Sequence, residues 1–220
     1  MNPQIWWYLS RASGIVAWLM LTASVIWGIV LSTKAFPEHR RPAWLLDLHR
    51  WLGGLTVTFV VIHLATLVAD SYIQFDLADI TIPFASDWKP LAVALGVIAT
   101  WLLIAVEITS LAMKRLPRQI WRAIHFASYV VFLLASFHAA LAGTDRTQWL
   151  YQVTAVASIA AVVWATVYRL THRGRRRKTA GRVATRPQPS TVPLPPPSPR
   201  TEGAHQREDH TADVDASTGV

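Results

Sequence analysis

The chain is 220 residues long, 52% hydrophobic and only 15% charged, yet carries a net charge of +8. So little charge on so apolar a chain excludes an ordinary water-soluble domain, which would need a charged shell around its core, and leaves lipid as the surroundings of the apolar segments. There is no cysteine, which excludes disulfides, iron–sulfur clusters, thiolate zinc sites and thioether attachment of a cofactor, so any metal group must be held non-covalently by histidine or carboxylate.

In chain order, the first apolar run, Ala12 to Leu31, is too long for a signal-peptide core and lacks a small-x-small cleavage site; it is read as a retained membrane helix over 12–32. Further spans are predicted at 44–69, 91–112, 121–142 and 149–170, each near the roughly 20 residues that cross a bilayer. Pro37, Pro42, Pro90 and Pro117 fall in the connections or at helix starts, where proline is tolerated. The connection at 70–90 is acidic, through Asp70, Asp76, Asp79 and Asp87. Its aromatic residues Tyr72, Phe75, Phe84 and Trp88 place it on the membrane surface.

Basic residues gather in alternate connections. Lys34, Arg40 and Arg41 follow the first span, Lys114, Arg115, Arg118 and Arg122 the third, and Arg173, Arg175, Arg176, Arg177, Lys178 and Arg182 the last. The positive-inside rule then puts the N-terminus outside and the C-terminus in the cytoplasm of a plasma membrane. The basic residues flank apolar spans, so no nucleic-acid partner is implied. After the last span the chain turns basic and rich in proline, with the run Pro193-Leu194-Pro195-Pro196-Pro197, a composition that cannot bury a core. The expected fold is all-α: a bundle of five transmembrane helices over residues 1–172, with a disordered cytoplasmic tail over 173–220.

Four of the eight histidines lie inside predicted spans: His49 and His63 in the second, His125 and His138 in the fourth. Ionisable residues in spans are rare and face the protein interior. The second and fourth spans run in the same direction, so His49 pairs in height with His125 and His63 with His138. The separations, 14 and 13 residues, correspond to about 21 and 20 Å along a helix. Fourteen steps leave His49 and His63 on one face; thirteen leave His125 and His138 about 140° apart, a mismatch that calls for tilt, a kink or a locally altered turn in the fourth helix. One zinc ion cannot be reached by ligands so far apart along the helix. A proton relay would not need two matched rungs. Two b-type hemes, each held non-covalently by a histidine pair, satisfy the pattern most economically, with these four residues as the axial ligands to iron. Arg50, Arg118 and Arg122 are candidate propionate partners at the inner rung, and Ser71, Tyr72, Lys89 and Arg146 at the outer one. Glu107, inside the third span, is read as a snorkelled or paired carboxylate near Lys114 and Arg115.

The segments Leu48-His49-Arg50-Trp51-Leu52-Gly53 and Trp121-Arg122-Ala123-Ile124-His125, with the two histidine spacings, resemble the ferric reductase-like transmembrane domain. That superfamily includes NADPH oxidases, ferric reductases and the heme-binding membrane subunit of the bacterial methionine sulfoxide reductase system. The resemblance implies two b hemes on His49, His63, His125 and His138 passing electrons across the membrane. Larger relatives carry a flavin and nicotinamide domain after the last helix. No G-x-G-x-x-G and no phosphate-binding loop occurs in this sequence. The expectation is therefore an oxidoreductase subunit, without assigned catalytic residues, fed by a separate reductase or a membrane quinol (a partner bringing flavin or quinone) and serving an external acceptor. Two other readings stand beside it: a heme-free scaffold or assembly factor, and a carrier using the histidines as a proton relay.

Overall fold

The computed structural model describes residues 4–33, 42–71, 73–143 and 147–184, with side chains of the last segment described as far as Thr171. All its regular elements are helices: α1 (Gln4–Ser32), α2 (Trp44–Ala69), α3 (Leu77–Thr81), α4 (Pro90–Leu111), α5 (Arg118–Ala142) and α6 (Trp149–Ala184). Five of the six are long and apolar enough to cross a membrane, α6 through its portion Trp149–Thr171. The protein is a multi-pass membrane protein.

The predicted spans are recovered, with two differences. Helix α1 begins at Gln4 rather than at residue 12, so Ser10 and Arg11 lie within it. A charged residue near a span end does not stop a helix, because its side chain can reach the interface while the backbone bonds continue. Helix α6 continues past the predicted end at 170 to Ala184, through Arg and Lys residues that favour helix. The tail boundary at 173 thus falls inside this helix, and residues 185–220 lie outside the described residues.

Helix α1 is the hub. It packs chiefly on α2, and also against α5 and α6, while α4 packs on α5, so the bundle is built from two antiparallel hairpins, α1–α2 and α4–α5. The core joins Trp18, Leu21, Val25 and Ile29 of α1 to Leu103 of α4, Val131 and Phe132 of α5, and Val162 and Ala165 of α6. The outward surface is as apolar as this core: Trp51, Val61, Leu133, Phe137 and Trp164 are all exposed, as a lipid-facing surface requires. Several hydroxyls inside the spans bond back to the preceding turn, as Thr22 does to the Trp18 carbonyl (2.8 Å) and Ser136 to that of Phe132 (2.7 Å).

Side-chain bonds tie the helices together. Trp18 Nε1 donates to Ser136 Oγ across α1 and α5 at 3.0 Å, and Trp27 Nε1 donates to the Leu45 carbonyl of α2 at 2.8 Å. The connection at 70–90 folds back as α3, opened by a capping box between Asp76 and Asp79. Its end is held against α4, where Trp101 Nε1 donates to the Thr81 carbonyl at 2.9 Å. Leu77, Ile82 and Phe84 are exposed here, in keeping with a segment lying in the membrane interface.

Candidate cofactor site

The four span histidines meet in the pairs their heights predict. The ring centres of His49 and His125 are 6.0 Å apart with planes at 78°, and those of His63 and His138 are 6.3 Å apart with planes at 80°. Helix α5 is α-helical throughout, so the thirteen-residue mismatch is not absorbed by a π or 3₁₀ turn.

Each ring is fixed from behind through Nδ1. His63 donates to the Ser10 carbonyl at 2.8 Å, and His138 to the Ala92 carbonyl at 2.7 Å. His49 Nδ1 lies 3.4 Å from Ser24 Oγ, and His125 Nδ1 lies 3.4 Å from Ser110 Oγ. With Nδ1 engaged, the nitrogen left over on each ring is Nε2, the arrangement by which an outer partner sets the tautomer and aim of a metal-ligating histidine.

The backing helices approach closely because they carry glycine there. A Cβ at Gly14 would stand 3.1 Å from His63 Nδ1, one at Gly28 3.2 Å from His49 Cε1, and one at Gly96 2.7 Å from His138 Nδ1. The backing residues fall in register: Ser10 with Gly14 and Ser24 with Gly28 on α1, Ala92 with Gly96 and then Ser110 on α4. Ser10 and Ser24 are 14 residues apart, as are Gly14 and Gly28, and as are His49 and His63 on the facing helix. This doubled S-x3-G was the signal in the sequence for residues that a search for ionisable groups passes over. The small residues nearest the histidines in sequence do something else. Gly53 packs against Glu107, and Gly54 faces open space.

Do these residues fit the group the pattern suggests? Among the described residues no three His, Cys, Asp or Glu converge on a point, so each rung offers two ligands only. Two ligands suffice where the metal brings its remaining four from a macrocycle. An imidazole nitrogen bonds a metal at about 2 Å, which puts the centres of two imidazoles sharing one metal about 6 Å apart, and both pairs meet this. Beside the outer pair lies a cavity of about 220 Å³ with apolar walls that include Val60, Val97, Leu103 and Val131, and His63, His138, Gly14 and Gly96 line it. His49 and His125 do not border that cavity.

The other expected partners are placed less simply. Arg50 is exposed and pairs with Asp47 at 3.3 Å; Arg118 and Arg122 are exposed at the start of α5. Lys89 is spent elsewhere: its Nζ donates to the Leu141 and Ala142 carbonyls at 3.2 Å and caps the end of α5. Ser71 is exposed, while Tyr72 and Arg146 lie outside the described residues. The cation that borders the outer cavity is Arg11, brought there by the longer α1. Among the described residues Glu107 meets neither Lys114 nor Arg115; its carboxyl lies against Gly53, because α4 turns this position toward α2.

Fold and site together define an α-helical multi-pass membrane protein with two interior histidine rungs. The family model described as ferric reductase like transmembrane component matches residues 13–136, more than half of the chain, and the chain belongs to that family. The match takes in His49, His63 and His125 and ends two residues before His138. Comparison with curated proteins and with solved structures found no match.

Proposed function

We propose that the protein is a membrane electron-transfer subunit holding two non-covalent b hemes, one between His49 and His125 and one between His63 and His138. The observation that carries this is the pair of imidazole couples at 6.0 and 6.3 Å, each ring held from behind so that Nε2 is its free nitrogen. When bound, heme supplies a one-electron couple. The two histidines at each rung would hold and orient it, and a group held by two histidines would favour electron transfer over oxygen binding. Apolar walls around the outer pair keep water away from it. Arg50, exposed and paired with Asp47, and Arg122, exposed at the start of α5, would be the cations for the acidic groups of the inner heme.

The distribution of basic residues supports a plasma-membrane orientation with the N-terminus outside and the C-terminus cytoplasmic. Electrons enter from a separate flavin-bearing reductase or a membrane quinol and leave to an external acceptor.

A dithionite-reduced minus oxidised spectrum of the detergent-purified chain, with a pyridine hemochrome count, tests the reading. The expected result is about two b hemes per chain by this pairing, falling by half when His63 or His138 is replaced by alanine. Heme-free protein from cells with ample heme would overturn it.

A further inference from the structure

Beside the inner pair stands a donor with no acceptor among the described residues. Trp121 lies in the first turn of α5, one turn before His125, and its indole is stacked on the imidazole with ring centres 5.1 Å apart and planes at 21°. Its Nε1 is buried and has no hydrogen-bond partner among the described residues. A buried donor left unmade is costly, so an N–H kept in that condition beside a fixed ring signals an acceptor that completes the site.

The chemistry of that acceptor follows from position. Trp121 sits on the basic side of His125, where α5 begins with Arg118 and Arg122. A heme held at His125 would bring carboxylates, for which the basic N-terminal end of α5 offers the favourable surroundings. Nearby, α6 brings Arg169 to Tyr129, Nη1 donating to the hydroxyl at 3.1 Å, with the guanidinium 5.5 Å from the centre of the Phe126 ring. The neighbourhood of His125 thus supplies a donor and a cation and, among Trp121, Phe126 and Tyr129, no carboxylate.

We infer that Trp121 is a positioning and binding residue of the inner site: its indole N–H donates to a propionate carboxylate of the heme held by His49 and His125, while its ring braces the His125 imidazole. This rests on the two-heme reading above and adds a residue to it that the histidine pattern does not contain.

The test uses the full chain with heme bound. Trp121→Phe keeps the stack and removes the donor; Trp121→Gln restores a donor without the ring; Trp121→Leu removes both. Transfer of heme to excess apomyoglobin is followed in a His63→Ala background, which leaves only the inner heme, and the midpoint potential of that heme is titrated in parallel. Loss of a hydrogen bond to a charged group should accelerate transfer on the order of tenfold in Trp121→Phe. The midpoint should also fall, since an undonated carboxylate favours ferric iron. Trp121→Gln should be closer to the native chain than Trp121→Leu. In a His49→Ala background, where the outer heme remains, Trp121→Phe should change neither quantity. If the inner heme is present but indifferent to Trp121→Phe, or if the change tracks anionic lipid in the nanodisc instead of heme, the assignment to Trp121 is overturned while the two-heme reading stands. If the native chain binds no heme, both fail.

Discussion

Gly96 of α4 lies so close under the His138 ring that a Cβ there would stand 2.7 Å from Nδ1 and 2.8 Å from Cε1. The ring cannot simply retreat, because the same Nδ1 is bonded to the Ala92 carbonyl one turn away. A methyl group at this position must therefore displace the imidazole or push α4 from α5, at a cost of about 1–3 kcal/mol. Gly96→Ala is expected to reduce heme content from two toward one per chain, read by pyridine hemochrome. Gly14→Ala and Gly28→Ala, with clearances of 3.1 and 3.2 Å, should keep both hemes and shift their absorption or potential slightly. Equal heme content in Gly96→Ala and the native chain would show that the close approach is incidental.

Glu107 gives a contrasting case. A Cβ at Gly53 would come within 2.5 Å of its Oε1, but that atom is the far end of a flexible side chain, so Gly53→Ala should be tolerated with a loss of less than about 1 kcal/mol. A carboxyl without a partner inside a span is costly, so Glu107→Leu should stabilise the chain by about 1 kcal/mol or more. Thermal unfolding in one detergent would measure both. A large loss of stability in Glu107→Leu would reveal a binding role for the carboxylate.

The bond from Trp18 Nε1 to Ser136 Oγ joins the two hairpins at 3.0 Å. Hydrogen bonds between membrane helices average about 0.6 kcal/mol and reach about 1.7, and Ser136→Ala should fall within that range. A double-mutant cycle with Trp18→Phe isolates the pair; coupling indistinguishable from zero would mean that packing alone holds α1 to α5.

Lys89 combines two features that separate by mutation. Its backbone is left-handed, with φ 44° and ψ 62°, and its Nζ caps the final carbonyls of α5. Lys89→Ala keeps the unfavourable backbone and loses the cap, for an expected cost of about 1–2 kcal/mol. Lys89→Gly loses the cap but relieves the backbone, and should be the milder change. The reverse order in thermal unfolding would show that the cap contributes little.

Much of the architecture was legible because the bilayer imposes a coarse rule. A span must be long, apolar and self-bonded, so α2 was placed at its observed bounds and the other spans within a few residues at most ends. The apolar run alone sets the start of α1 at residue 12, whereas the helix begins at Gln4 and carries Arg11 to the edge of the outer cavity. Trp101 and Trp164 lie deep in their spans and are nevertheless 53% and 70% exposed. Depth in the membrane says nothing about which way a side chain faces, and lipid accepts an indole as readily as a core does.

The sequence by itself determined that the chain crosses a membrane five times and that its interior histidines stand at two heights, since both follow from composition and from a fixed rise of about 1.5 Å per residue. Only the tertiary structure decided which atoms meet: that His138 rests on Gly96, that Nδ1 of His63 is taken by the Ser10 carbonyl, that Lys89 is diverted to cap α5, and that Trp121 keeps an unmade donor beside His125. Those relationships depend on the rotation of each helix about its axis and on backbone carbonyls that any residue can present. Residue type carries little information about either.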